Sequence, residues 1–303
     1  MTKLSVALWA SSLTPRLNGV GAWVAGVDAK MAEARAKGAE LLVMPEHVAV
    51  QWLSFAPQGL ACRDEMPWLA KQAPAALEGL KPLAAKHGIA LLAGSMPVAA
   101  DGGLRNRAHL FLPEGAVHAQ DKLALTPHEA APEGWSLKPG NTLTVVEWRG
   151  LRLATCICFD IEQPALATIL AGLGLDLILV PAMTDTLSGY HRVFGCAKAR
   201  AVETQAAVCA VGTIGDTPYR AEPEANVSGA AVYLPCEEYL GQTGSFAFLP
   251  PRNADPGAGP MLVAEGIPLD ELRRSRMGAS DVWRGAWSAQ GLRVADPRGK
   301  KAR

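Results

Sequence analysis

Long unbroken apolar runs are missing from this chain. The most apolar stretch, Pro164 to Met183, is interrupted by Gly172, Gly174, Asp176 and Pro181. A membrane span needs about 20 consecutive apolar residues, so none is expected. The start, Met1-Thr2-Lys3, carries one basic residue, and the apolar run behind it reaches only Ala10. That is too short for a secretory leader. Charge of one sign is missing too. Lysine plus arginine equal aspartate plus glutamate at 29 each, so nothing global draws the chain to nucleic acid or an anionic membrane. No Gly-x-x-x-x-Gly-Lys-Ser/Thr and no Gly-x-Gly-x-x-Gly follows a strand, which removes the usual phosphate and dinucleotide loops. The six cysteines, Cys62, Cys156, Cys158, Cys196, Cys209 and Cys236, have no framework spacing. They read as free thiols in a reducing compartment. No Cys-x-x-Cys occurs, and Cys156-x-Cys158 alone is a poor zinc site, because a structural zinc takes four ligands. The expectation is a cytoplasmic protein with no metal and no cofactor.

What is present is an ordinary globular balance, 49% hydrophobic and 19% charged over 303 residues, enough for one large domain or two average ones. Lys3 to Ala10 reads as a strand. Gly26 to Lys37 reads as a helix with Val27, Met31 and Ala34 on one face, stopped at Gly38. Leu41 to Met44 is a short buried strand before Pro45. Leu69 to His87 reads as a second helix despite Pro74 and Pro82, and Ile89 to Ala93 as the next strand. Arg107 to Leu112 and Ala116 to Lys122 form a hairpin around Pro113-Glu114-Gly115. Leu143 to Trp148 and Leu151 to Ile157 pair around Arg149-Gly150. Ala165 to Leu173 and His191 to Ala207 read as helices, and Leu177 to Val180 and Val208 to Thr213 as strands. Ala230 to Leu234 and Phe246 to Leu249 follow as strands, and Asp270 to Met277 as a helix. Residues 1–280 are expected to form one domain, with 281–303 as an extension ending in a frayed basic tail.

One internal echo stands out. Gly38-Ala39-Glu40-Leu41-Leu42-Val43-Met44-Pro45 and Gly174-Leu175-Asp176-Leu177-Ile178-Leu179-Val180-Pro181 share the pattern Gly-x-acid-Leu, three apolar residues, Pro. Short, fully apolar strands belong in a sheet covered on both faces. Two such units point to two similar halves packed in layers.

The chemistry gathers around Leu153-Ala154-Thr155-Cys156-Ile157-Cys158-Phe159-Asp160. Cys158 ends a buried strand where the chain turns, and ligands in open α/β sheets collect at such ends. Pro45-Glu46 ends another strand with a carboxylate. Asp121-Lys122 and Pro127-His128-Glu129 add a lysine and a second carboxylate. A thiol, carboxylates and a lysine suit acyl transfer. The lysine cation can lower the thiol pKa from about 8.5 and hold an oxyanion. A carboxylate can move the thiol proton to a leaving nitrogen, an effect of about 10²–10⁴-fold.

Three stretches in this order, Leu42-Val43-Met44-Pro45-Glu46, Asp121-Lys122-Leu123-Ala124-Leu125-Thr126-Pro127 and Cys156-Ile157-Cys158-Phe159-Asp160, resemble the nitrilase superfamily of carbon–nitrogen hydrolases. Lys138-Pro139-Gly140 and Arg200-Ala201-Val202-Glu203-Thr204-Gln205 support the resemblance, which runs from about Lys3 to about Arg276. It implies a four-layer α-β-β-α sandwich with Glu46 as base, Lys122 as oxyanion holder and Cys158 as nucleophile. It also implies that Glu129 orients Lys122 and the substrate, and that the Phe159 N–H completes the oxyanion site. A homodimer or higher closed assembly is implied as well. Many amidase-like members continue Cys-Tyr-Asp-x-Arg-Phe-Pro-Glu; here the chain reads Cys158-Phe159-Asp160-Ile161-Glu162-Gln163-Pro164-Ala165, with the arginine and the glutamate replaced. True nitrilases tend to carry Cys-Trp-Glu, so Phe159-Asp160 leans toward amides.

The expected reaction is hydrolysis of a small amide through a Cys158 thioester, the substrate being a small molecule. The alternatives are a nitrile hydrolase or an N-acyltransferase on the same site, a silent binding protein, or a redox or metal thiol pair at Cys156 and Cys158. Phe159, His47, His128, Tyr190 and His191 are expected to line the substrate pocket. Cys156 reads as core, Arg200 with Glu203 as a structural i, i+3 pair, and Asp160 as a brace for the turn.

Overall fold

The computed structural model describes residues 2–255, 257–282 and 291–293; most of the expected extension, including its basic end, lies outside them. In chain order the strands are β1 (Lys3–Trp9), β2 (Leu41–Val43), β3 (Ala90–Ala100), β4 (Gly103–Phe111), β5 (Val117–Asp121), β6 (Val145–Trp148), β7 (Leu151–Thr155), β8 (Leu177–Ala182), β9 (Ala207–Gly212), β10 (Gly215–Asp216), β11 (Ala225–Asn226), β12 (Ser228–Tyr233), β13 (Ser245–Arg252) and β14 (Met261–Pro268). The helices are α1 (Val20–Ala36), α2 (Cys62–Leu80), α3 (Leu83–His87), α4 (Pro127–Ala130), α5 (Pro164–Gly172), α6 (Leu187–Thr204) and α7 (Leu269–Arg274).

Period-two alternation assigns the first sheet to two cores. In β1, Val6 and Leu8 point to one cluster while Ala7 and Trp9 point to the other. Leu41 and Val43 of β2 oppose Leu42 in the same way, and Leu92 of β3 opposes Leu91. The outer cluster takes the apolar faces of α1 and α2, through Val27, Met31, Leu69 and Ala76. The inner cluster meets the second sheet, whose far face is covered by α5 and α6 through Leu170, Val193 and Ala197. Successive Cβ atoms of a strand face opposite ways, so a strand apolar at every position must be covered twice. The result is the expected four-layer α-β-β-α sandwich.

The two six-stranded sheets run β14-β1-β2-β3-β4-β5 and β13-β12-β9-β8-β7-β6. Each has the same plan: one antiparallel neighbour, two parallel, two antiparallel. The echoed strands β2 and β8 occupy equivalent places, so the repeat in the sequence is a repeat in the fold. The strand ends meet at one point, where the Glu46 N–H donates to the Ala182 carbonyl at 3.2 Å.

Boundaries differ from the sequence reading in ways with local causes. The expected 69–87 helix starts earlier, at Cys62, and splits at Pro82 into α2 and α3; proline has no N–H to continue the ladder. Helix α1 begins at Val20, because Trp23 is buried and extends the apolar face past Gly26. Strand β3 continues through Gly94, which sits at φ +64 where the register shifts. Strand β14 was not expected, since Gly266 and Pro268 mask its pattern. No helix among the described residues is long and apolar enough to cross a membrane.

Candidate active site

Each charged side chain is placed by a tight piece of backbone. After β2 the chain turns at His47, a non-glycine residue at φ +49, and its N–H donates to Ser95 Oγ at 3.0 Å. Gly94 lets this turn close: a Cβ there would lie 2.1 Å from the Pro45 carbonyl oxygen. Lys122 follows β5, tied by its N–H to the Asn106 carbonyl and by its carbonyl to the Gly140 N–H. A Cβ on Gly140 would lie 2.7 Å from Asp121 Cβ, which explains the glycine of Lys138-Pro139-Gly140. Glu129 is fixed by a capping box on α4. Its N–H donates to Thr126 Oγ1, and its Oε2 accepts from the Thr126 N–H at 2.9 Å.

These residues make one buried cluster. Lys122 Nζ donates to Glu46 Oε1 at 2.8 Å and to Glu129 Oε2 at 2.6 Å. His47 Nε2 lies 3.0 Å from Glu129 Oε1. A carboxylate can only accept, so that nitrogen carries the proton. Asn106 Nδ2 donates to Glu46 Oε1 at 2.9 Å, and Glu46 Oε2 receives no hydrogen bond from the described residues. Glu46, His47 and Glu129 lie close enough to share a cation; the ammonium of Lys122 supplies a positive charge to both carboxylates. Burial alone would lower the Lys122 pKa, but the carboxylates of Glu46 and Glu129 outweigh it and hold the ammonium charged. Burial works against the Glu129 carboxylate, yet His47 and Lys122 hold its pKa well below the usual range.

Cys158 comes from the other half. It leaves β7 at φ +47, a left-handed backbone sparsely populated by residues with a Cβ, and opens a 3₁₀ turn, Cys158–Glu162. Its Sγ lies 3.6 Å from the Met183 carbonyl oxygen. Asp160 braces the turn, accepting from the N–H groups of Ile157, Leu123 and Ala124 at 2.9, 3.0 and 2.7 Å. One carboxylate thus ties the thiol turn to the lysine loop. Burial pushes Asp160 up to about 7. The Arg200–Glu203 pair closes at 2.7 Å on α6.

The thiol is held differently from the sequence expectation. Burial pushes its pKa well above the ordinary value, the Glu46 carboxylate adds to the rise, and Lys122 opposes both. Lys122 already faces two carboxylates, so its charge is shared between them and only part of it acts on Cys158. At rest Cys158 is a neutral thiol.

A cavity of about 500 Å³ joins the two halves, lined among others by Glu46, His47, Lys122, His128, Glu129, Cys158 and Phe159. Tyr190 and His191 do not line it. Tyr190 packs on Phe194 at 4.2 Å between ring centroids, and His191 is exposed; Gly189, Arg192 and Val193 on α6 face the cavity instead. Sequence reasoning missed Asn106 and Trp135. Trp135 stands edge-on to both His47 and His128, at 4.6 and 5.1 Å. A lone buried asparagine leaves no signal, whereas Thr126-Pro127-His128-Glu129 is a capping-box signature that would have fixed Glu129.

A four-layer sandwich with a thiol, two carboxylates and an ammonium at its joined strand ends is the nitrilase-superfamily architecture. The carbon-nitrogen hydrolase family model matches residues 11–240, and the chain belongs to that family. It is 31% identical over 180 residues to the probable hydrolase YhcX of Bacillus subtilis (strain 168), covering 59% of this chain and 34% of that protein. It is 30% identical over 182 residues to omega-amidase YafV of Escherichia coli (strain K12), covering 59% and 63%. The chain thus matches about a third to just under two thirds of the length of these two relatives. Among solved structures it resembles an amidase from Nesterenkonia sp., with a TM-score of 0.67 and 25% identity over 91% of this chain and 94% of that one.

Proposed function

We propose that the chain hydrolyses small amides through a thioester on Cys158. The observation that supports it best is the shared cavity. A neutral thiol on a left-handed turn faces a carboxylate whose Oε2 is free and whose Oε1 is anchored to Lys122 at 2.8 Å.

Cys158 Sγ gives its proton to Glu46 Oε2 as it attacks the amide carbon. The proton moves within the cluster, so no new net charge enters a buried site. The developing oxyanion is held by Lys122 Nζ and by the Phe159 N–H, one of the unpaired donors that every helix start leaves. Glu129 keeps Lys122 in place. Collapse breaks the carbon–nitrogen bond, and protonated Glu46 hands its proton to the leaving nitrogen. A water then attacks the thioester with Glu46 again accepting the proton. The acid departs and the proton returns to Sγ.

The test is a panel of amides, N-carbamoyl compounds and nitriles, with release of ammonia or amine followed alongside intact mass. Amide turnover with an acyl adduct on wild type and none on Cys158→Ala supports the reading. Turnover of nitriles alone, or an adduct that survives Cys158→Ala, overturns it.

A further inference from the structure

The cavity wall beyond the cluster carries a charge that the proposed reaction does not use. Glu162 closes the 3₁₀ turn that Cys158 opens and lines the same cavity. Its side chain is only 9% exposed. Arg192 Nε donates to Oε2 at 2.5 Å, but Oε1 is buried without any hydrogen-bond partner. A buried carboxylate oxygen left unpaired costs about 1–3 kcal/mol or more, so a turn of the Glu162 side chain that brings Oε1 to a donor in the cavity is favoured.

The surrounding charges say what that is. Away from Lys122, the lining carries the carboxylates of Glu162, Asp185 and Glu224 against the single cation Arg192. Arg192 has a side chain 61% exposed, so water screens it, while Glu162 is shielded. Glu224 is held by Arg220 Nη1 at 2.5 Å, and Arg220 is itself committed to the buried Glu65 through hydrogen bonds of 2.9 and 2.8 Å.

We propose that Glu162 receives a cationic N–H-bearing group of the substrate, so that the preferred amides carry an ammonium or guanidinium group away from the scissile bond. This rests on the amide-hydrolase reading. An ammonium satisfies Oε1 and meets a wall in which carboxylates outnumber cations; a carboxylate in the same place meets charge of its own sign.

The experiment compares kcat/KM of the full chain for three matched series with chains of three to six carbons: plain amides, ω-amino amides and ω-carboxylate amides. At least one ω-amino amide is expected to exceed its plain counterpart by about tenfold or more, the value of a charge-assisted hydrogen bond. The ω-carboxylate amides should fall below both. Glu162→Gln should bring the ratio of ω-amino to plain amide down to about one. Arg192→Gln, which leaves the Glu162 charge unpaired, should raise that ratio. A purely structural role for the Glu162–Arg192 pair would not move the two ratios in opposite directions. Plain amides that match the ω-amino series at every length overturn this inference alone, as does a preference that survives Glu162→Gln. If none of the three series is hydrolysed, the amide reading falls and this inference with it.

Discussion

The two halves of the sandwich share one strand plan and divide the chemistry unequally. Strands β2 and β8 hold equivalent places, and each runs into a proline, Pro45 just beyond β2 and Pro181 at the last but one place of β8. After Pro45 comes Glu46; after Pro181 comes Ala182. Strands β1 and β7 are likewise equivalent by their ladders to β2 and β8. The first runs on extended through Ser11 to a bridge between Ser12 and Ile214, while the second is turned at Cys158. So the first half carries the charges that line the site, Glu46, Lys122 and Glu129, and the second carries the thiol. Charges taken out of water must be buried together, since an isolated one costs several kcal/mol. A neutral thiol carries no such cost. Neither half alone holds both the proposed base and the proposed nucleophile, and the cavity between them lies where their strand ends meet.

The strongest way to break this comparison is to remove what the second half contributes. Cys158→Ala is expected to lower turnover by on the order of 10⁶-fold, as loss of a nucleophile does. Cys156→Ala should retain most activity. Cys156 is fully buried, its N–H bonded to the Leu179 carbonyl at 2.9 Å, and burial pushes its pKa far up. Equal losses in two well-folded variants, measured as steady-state rates beside circular dichroism, would sink the division of roles.

Removing the first half's contribution is the next largest test. Glu46→Gln keeps the shape but cannot accept a proton, so amide turnover should fall about 10²–10⁴-fold. An activated ester, whose leaving group needs no proton, should still acylate Cys158 slowly, and the thioester should then persist. Intact mass spectrometry checks this. Ester hydrolysis at the wild-type rate would remove Glu46 from the role of base.

Most of this division could be read in the sequence. The Gly-x-acid-Leu…Pro echo located β2 and β8, and short apolar strands announced a sheet covered on both faces. Glu46, Lys122 and Cys158 were legible because each ends a strand in a motif, and strand ends meet in space. What escaped was set by tertiary contact. Asn106 sits mid-strand and gains its meaning only from neighbours 60 and 23 residues away. Tyr190 and His191 were expected in the pocket from their nearness to Pro181, but helical phase turns Gly189, Arg192 and Val193 there instead. The high thiol pKa was hidden because it comes first from burial and then from the Glu46 carboxylate, neither of which spacing along the chain shows.

A third test gives the second half what it lacks. Ala182→Glu places a carboxylate at the counterpart of Glu46. Ala182 is fully buried, and its carbonyl accepts from both Glu46 and Thr213. The Lys122 ammonium is already shared by two carboxylates, so the new charge has no partner. The expected loss is about 3–5 kcal/mol of stability, seen as a lower urea midpoint. A variant as stable as wild type would show that this strand end can hold a buried carboxylate with no cation of its own.

The smallest expected effect concerns pH. By ladder register the counterpart of His109 on β4 is Ala231 on β12, so the first half again holds a titratable group where the second is apolar. Burial, aided by Arg107, pushes the His109 pKa down to about 4 from 6.5. The folded protein therefore holds a neutral imidazole between those values while the unfolded chain binds a proton, and stability drops as pH falls from 6.5 towards 4. Asp160 works with the opposite sign. Its pKa is raised to about 7, so the folded state binds the extra proton and stability drops as pH rises from 3.8 towards 7. The wild-type pH profile mixes the two, and the difference between wild type and His109→Phe isolates the histidine. From pH 7 to pH 5 wild type should lose about 2 kcal/mol more than His109→Phe, measured by urea unfolding at both pH values. Parallel losses in the two proteins would mean that His109 titrates normally and that the first half's burden of buried ionisable groups is confined to the active-site cluster.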